Sequence, residues 1–153
     1  MPIYFYSPHD TYGAFSNFSR HGIKLNDLWW PTTEHYFQAQ KFAGTPHEEA
    51  IRLAKTPKQA ADMGRDRNRP LRSDWERVKD DIMRVAVRQK FQAHHDLGTM
   101  LLDTKDEELI ENAPRDYYWG SGADGSGKNM LGKILMEVRE ELRQDASEYI
   151  DIT

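Results

Sequence analysis

The sequence predicts an α+β fold: a compact, mostly helical single domain with a small antiparallel sheet. Three observations carry this. Strand formers gather in residues 1–30, apolar residues recur at helical spacing after Pro31, and the same start signal is repeated before several of those helical stretches. Ile3-Tyr4-Phe5-Tyr6 opens as a strand, and Phe15-Ser16-Asn17-Phe18 follows as a loop carrying two large rings. Ile23-Lys24-Leu25, Asn26-Asp27 and Leu28-Trp29-Trp30 form a short hairpin, because Asn and Asp tolerate the backbone of a tight turn. Thr45 with Glu48, Thr56 with Gln59 and Ser73 with Glu76 each fit a capping box, the first two with Pro at the first helical position. Gly44 and Gly64 stand where helices stop.

The longest helix is expected over 74–91, with Trp75, Val78, Ile82 and Val85 on its apolar face. A short helix over 97–102 and a strand over 108–110 lead into a glycine-rich loop. The last helix, over 130–142, places Leu131, Leu135, Val138 and Leu142 on one side. Residues 1–144 thus form the domain, and 145–153 a polar, loosely held tail.

The 153 residues suffice for a core without covalent staples, and the net charge of -4 argues against a general nucleic-acid coat or a basic membrane-surface protein. There is no cysteine, hence no disulfide framework, thiolate zinc site or cysteine nucleophile. No apolar run approaches the ~18 residues of a membrane span, and the start lacks a signal-peptide pattern, so the expected location is the cytoplasm. His94 and His95 are neighbours and would diverge on a helix, and no HExxH pattern occurs, so neither a metal nor a cofactor is expected.

Chemistry concentrates in two stretches. In 116–132, DYYWGSGADGSGKNMLG, a carboxylate and three rings run into glycines that open a helix. Gly120, Gly122 and Gly125 spell GxGxxG without the preceding apolar strand that a dinucleotide site needs. Gly122 to Asn129 nearly spells a P-loop, but Asn129 stands where a hydroxyl must hold Mg2+. What remains is a flexible backbone and a helix N-terminus that favours an anion. Asp116 either caps a local turn or presents a carboxylate beside Trp119. In the second stretch Glu34, Gln38 and Lys41 lie at i, i+4 and i+7. By charge pattern they read as a solvated stripe, whereas walled by Trp30, Tyr36, Phe37 and Phe42 they would form an acid-base site. A third feature, Arg65, Arg67, Arg69 and Arg72, reads either as a solvated loop or as a phosphate clamp, with Arg65 the best candidate because it follows Gly64 directly. Trp75 packs, or offers a face to a base or sugar.

These motifs, in this order, resemble the NADAR (YbiA-like) family. The resemblance runs from 15–18 through Trp30-Pro31-Thr32-Thr33-Glu34-His35-Tyr36, Gln40-Lys41-Phe42, Asp74-Trp75, Lys90-Phe91 and Leu101-Leu102-Asp103-Thr104 to Asp116, Trp119-Gly120-Ser121-Gly122 and Gly127-Lys128-Asn129-Met130-Leu131-Gly132. Lys105, where many relatives have glycine, and Tyr117-Tyr118 depart from the pattern and bear on substrate preference. The resemblance implies an N-glycosidase that splits the ribosyl C–N bond of phosphoribosylamino-pyrimidines of riboflavin synthesis and releases ribose 5-phosphate. Removal of ADP-ribose from guanine is the alternative, and a non-catalytic ADP-ribose or nucleotide binding module a third reading. The partner is then a small phosphoribosylated or ADP-ribosylated substrate, with nucleic acid entering only as a modified substrate and no membrane involved.

By that resemblance Glu34, Trp75, Asp116 and Trp119 are functional. Glu34, Asp116 and Trp119 are the expected catalytic residues, one carboxylate activating water while the other stabilises the sugar cation or binds ribose hydroxyls. Asn17, Trp30, Lys41, Arg65, Trp75, Gly120, Gly122 and Asn129 are the expected substrate contacts, with Lys41, Arg65 and the helix start at Asn129 holding phosphate.

Overall fold

The structure, a computed structural model, describes residues 1–152. Their contacts gather into two units, one of residues 17–90 and the other of residues 1–16 with 91 onward.

In the first unit β2 (Ile23–Leu25) and β3 (Leu28–Trp30) form an antiparallel hairpin in which Ile23 pairs with Trp30 and Leu25 with Leu28. Asn26 and Asp27 turn it with φ of 55° and 60°, the left-handed pair that matches strand twist. The helices α1 (Thr33–Gln40), α2 (Pro46–Arg52) and α3 (Pro57–Gly64) then pack on one another. Their shared core holds Ile23, Trp30, Tyr36, Phe42, Ile51 and Ala60. Thr45 accepts the His47 N–H and Thr56 the Gln59 N–H, as N-caps do. The returning arms land one residue early, Glu48 on the Gly44 N–H at 3.2 Å and Gln59 on the Lys55 N–H at 2.7 Å. Gly44 has φ 82°, the conformation expected of a stop.

The long helix α4 spans Trp75–Ala93. Its cap position is Asp74 rather than Ser73, since the Asp74 carbonyl accepts the Arg77 and Val78 N–H groups at 3.0 and 3.1 Å. The buried stripe is Trp75, Met83, Ala86, Val87, Lys90 and Phe91, and Val85, expected on the apolar face, is 37% exposed. The expected face is kept at Trp75 and at Ile82, which packs against the core, and it is completed by Met83, the small Ala86 and a lysine that no apolar count includes.

In the second unit β1 (Ile3–Phe5) pairs with β4 (Leu109–Glu111) in parallel, Ile3 opposite Leu109 and Phe5 opposite Glu111. The antiparallel hairpin is thus accompanied by a parallel pair that joins distant sequence. The helix α5 (His95–Asp103) packs on α6 (Met130–Ile152), which also lies on β4. Leu131, Ile134, Leu135 and Val138 are the buried side of α6, and buried Arg139 donates to the Thr104 hydroxyl at 2.9 Å and the Glu107 carbonyl at 2.8 Å. The helix continues past Leu142 to Ile152, so the segment expected as a loose tail is helical over its described residues.

Candidate active site

The helix α1 is held at its start by two devices. The Thr32 hydroxyl accepts the His35 N–H at 3.1 Å, and the Asn17 carbonyl accepts the Glu34 N–H at 3.2 Å. Asn17 Oδ1 also accepts the Thr33 hydroxyl at 2.9 Å, and its Nδ2 points at the Met83 sulfur at 3.4 Å. Asn17, expected as a substrate contact, therefore fixes the backbone of Glu34 through its own carbonyl and commits its side chain to Thr33 and Met83. His35 is pinned in the same way. Its Nε2 donates to the Ala54 carbonyl at 3.0 Å and its Nδ1 faces the Thr32 hydroxyl at 2.8 Å, while burial pushes its pKa down. A neutral ring suits these partners, with Nδ1 accepting from the Thr32 hydroxyl.

Every residue of α1 is buried, and the helix is barely amphipathic. Glu34 is only 6% and Gln38 only 4% exposed, so the stripe is not solvated. Gln38 Nε2 donates to Glu34 Oε1 at 2.7 Å. One turn on, the Lys41 ammonium donates to the Gly64 carbonyl at 3.3 Å and stands 6.0 Å from the Phe37 ring centre and 5.8 Å from that of Trp75. Those two rings are themselves 5.1 Å apart. Burial lowers the Lys41 pKa, the Glu34 charge opposes that shift, and Arg65 and Lys79 add to it. A carboxylate, an ammonium, a guanidinium and an indole thus share one electrostatic neighbourhood. Trp75 is 6% exposed and serves as one of its walls.

Of the four arginines, Arg65 alone acts on Lys41 in this way. Arg72 is bound to Asp74 at 2.6 Å and Arg69 meets His47 at 2.6 Å. An open groove of about 540 Å3 beside Lys41 is lined by Thr45, Arg72, Asp74 and Arg77 and excludes both Glu34 and Trp75. Trp30 must be removed from the candidate contacts. It is fully buried, its Nε1 donates to the Leu25 carbonyl at 3.0 Å, and its ring lies edge-on to Tyr36 at 5.2 Å, which makes it a core residue of the hairpin.

In the other unit Asp116 Oδ1 accepts the Tyr118 and Trp119 N–H groups at 3.0 and 2.8 Å, so the carboxylate is oriented by the turn that it caps. Trp119 follows, half-buried, with its ring 4.9 Å from that of Tyr118. The glycine loop is built differently from the anion site expected of it. The amides of Lys128, Asn129, Met130 and Leu131 donate to the carbonyls of Tyr117, Gly120, Tyr118 and Trp119 at 2.9 to 3.1 Å. The free donors that make a helix N-terminus attractive to phosphate are consumed by the aromatic turn. Asn129 is also committed through its side chain, Oδ1 accepting the Glu111 N–H and Nδ2 donating to the Leu109 carbonyl, each at 2.9 Å. It pins α6 to β4 and is withdrawn as a phosphate ligand.

Gly120 and Gly122 have steric reasons for being glycine. A Cβ on Gly120 would lie 2.8 Å from that of Ala113, and Gly122, at φ 73°, lies under the Tyr117 ring and gives its N–H to the Ala113 carbonyl. Among the described residues no group of three or more His, Cys, Asp or Glu side chains could hold a metal, and no helix is long and apolar enough to cross a membrane. Gln38 was visible in the sequence as part of the stripe, but only the structure makes it the hydrogen-bond partner of Glu34.

A family model described as NADAR domain matches residues 4–143. An N-glycosidase of Nostoc punctiforme is 53% identical over 94% of this chain and 94% of its own length. N-glycosidase YbiA of Escherichia coli is 52% identical over 92% of this chain and 88% of its own. The chloroplastic riboflavin biosynthesis protein PYRR of Zea mays is 43% identical over 92% of this chain, which spans 25% of that longer protein. The NMR structure of E. coli YbiA superposes with a TM-score of 0.90 at 50% identity, covering 97% of this chain and 88% of that one.

Proposed function

The chain belongs to the NADAR domain family, and on that premise we propose that the Glu34 cluster serves the hydrolysis of a ribosyl C–N bond in phosphoribosylamino-pyrimidine intermediates of riboflavin synthesis, in the cytoplasm, releasing ribose 5-phosphate and the free base. The chain is a hydrolase of N-glycosyl compounds, and its substrate is a small glycosylated molecule. The observation that carries the assignment is a carboxylate only 6% exposed, held by Gln38, whose charge acts on a Lys41 ammonium that stands over the Phe37 and Trp75 rings.

Breaking an N-ribosyl bond leaves positive charge on the anomeric carbon and the ring oxygen. A carboxylate already in place stabilises that charge, or takes the proton of the attacking water, without solvent having to reorganise. Glu34 has that character because α1 is fixed at its start and its carboxylate is fixed by Gln38. Lys41 and Arg65 provide cations for the 5-phosphate, and Trp75 a face for the base or sugar. Asp116 and Trp119 are assigned to the same reaction. The support is an orienting turn that holds one oxygen of the carboxylate and leads directly into the indole.

Glu34→Gln keeps shape and hydrogen-bonding capacity while removing the charge. Release of ribose 5-phosphate from a phosphoribosylamino-pyrimidine, followed by mass spectrometry, is expected to fall ~100-fold or more in a folded protein. Normal turnover in folded Glu34→Gln would remove Glu34 from the mechanism. Release of ADP-ribose from ADP-ribosylated guanine, with none from the pyrimidine, would move the activity to the modified base.

A further inference from the structure

We propose that Gln38 is a positioning residue for the Glu34 carboxylate and that the missing side chain of Gly64 is what holds it there, an inference that rests on the catalytic role of Glu34. Gln38 lies one turn after Glu34 on α1, 4% exposed, and its Nε2 reaches Glu34 Oε1 at 2.7 Å. The other end of the same amide has no polar partner, since Oε1 is buried without a hydrogen bond. A glutamine serving only to pack would not leave a carbonyl oxygen in that state, because leucine fills a similar volume with no polar atom to satisfy.

The neighbourhood of that oxygen explains its orientation. A Cβ on Gly64 would lie 2.0 Å from Gln38 Oε1 and 2.7 Å from its Cδ. The amide oxygen therefore occupies the space that any other residue at 64 would fill, where a weak Cα–H contact is what it can gain. Flipping the amide would set its oxygen against the carboxylate oxygen, a repulsive arrangement, so the NH2 group is held towards Glu34. Gly64 was expected as a helix stop, and α3 does end there, but the glycine is required by the side chain opposite it.

The carboxylate has a reason to need such a restraint. Lys41 lies further along the same helix face and its charge interacts with that of Glu34. Without Gln38 the carboxylate loses the hydrogen bond that fixes its orientation, and the Lys41 charge draws it along the helix face. With Gln38 between them, the two charges act on the substrate separately, Lys41 on phosphate and Glu34 on the developing cation. Displacement of a reacting group by about an ångström can lower turnover by about 100-fold.

The test is steady-state kinetics with a phosphoribosylamino-pyrimidine on Gln38→Leu, Gly64→Ala, Glu34→Gln and the double variant Glu34→Gln with Gln38→Leu, with melting curves as the check on folding. Gln38→Leu is expected to lower kcat between ~10- and 100-fold while KM stays within about twofold. Gly64→Ala should do the same by expelling the amide oxygen, and because its Cβ would also lie 2.9 Å from Gln38 Cβ, its melting curve shows whether α1 and α3 keep their places. In the Glu34→Gln background Gln38→Leu should cost nothing further, because a residue that acts only through Glu34 has nothing left to position. Wild-type kcat in either folded single variant, a loss confined to KM, or losses that multiply in the double variant would overturn the proposal. If Glu34→Gln itself is fully active, the role of Glu34 falls and this inference with it. If Glu34→Gln is inactive while Gln38→Leu and Gly64→Ala are normal, only the positioning role fails.

Discussion

Replacing Asn129 by alanine separates the two jobs that the glycine-loop helix start could perform. The substitution removes the acceptor for the Glu111 N–H and the donor to the Leu109 carbonyl, two contacts of 2.9 Å at a residue 8% exposed. Leaving a buried backbone group unpaired costs about 1–3 kcal/mol, so the two losses together reach about 2–6 kcal/mol. Asn129 also has φ 53°, where alanine adds strain of about 1 kcal/mol that asparagine tolerates better. The expected destabilisation is thus about 3–7 kcal/mol out of a total of ~5–15 kcal/mol, and urea melts should show a midpoint lowered by about 1.5–3.5 M at a slope of ~2 kcal/mol per M. Asn129→Gly, which removes the strain but not the lost hydrogen bonds, should recover about 1 kcal/mol of this. The KM for phosphorylated substrate should be unchanged in the folded fraction, because the Asn129 N–H already donates to the Gly120 carbonyl. Stability within ~0.5 kcal/mol of wild type, coupled to a higher KM for phosphorylated but not dephosphorylated substrate, would refute the argument.

Two other perturbations follow from charges in the interior. Burial pulls the Lys90 amine from 10.5 down to about 7. Between those values the unfolded chain holds the additional proton, so stability should rise with pH across that window, by up to ~1.4 kcal/mol per unit, and the slope should vanish below about 7, where both states are protonated. Melts of wild type and Lys90→Met from neutral to alkaline pH should therefore diverge, and parallel curves would show that Lys90 is not the source. Lys41→Met should raise KM for a phosphorylated substrate ~10- to 100-fold and leave a dephosphorylated analogue nearly unaffected, as loss of one charge-assisted hydrogen bond implies. Equal effects on both compounds would remove Lys41 from the phosphate site.

Where structure was decided locally, the sequence was legible. Asn26-Asp27 specifies the hairpin turn, and Thr45-Pro46 and Thr56-Pro57 specify helix starts, because each acts over a few bonds. The pairing of β1 with β4 was not legible, since strands of three residues have too short a pattern to name a partner and the contact joins Ile3 to Leu109. The extension of α6 past Leu142 was missed because Gln144, Asp145 and Ser147 give the segment a polar reading. Its Glu, Arg and Ala residues favour helix by propensity alone, which a search for a buried face does not register. Trp30 was misplaced for the opposite reason, since a ring next to a reactive stretch looks like a wall of the site until the hairpin is seen to bury it. The helix start at Asn129 carried a real signal with the wrong recipient: its amides bind carbonyls, those of the chain's own aromatic turn.

The candidate site itself was legible as a spacing and illegible as an environment. Glu34, Gln38 and Lys41 fall on one helix face whether that face meets water or protein, and charge content favours water. What overrides it is that α1 is buried on every side while carrying Thr33, Glu34, His35, Gln38 and Gln40. Several of these polar groups are settled by structure alone: Thr33 on Asn17, His35 between Thr32 and the Ala54 carbonyl, Gln40 on the Glu48 carboxylate at 2.9 Å. Gln38 is different, because one end of its amide is spent on a buried carboxylate and the other has no polar partner. Selection for packing alone would favour leucine at 38, with no polar atom to satisfy. A polar pair kept in the interior, with a side chain omitted to make room for it, is what the proposed action of the Glu34 carboxylate on a substrate would call for.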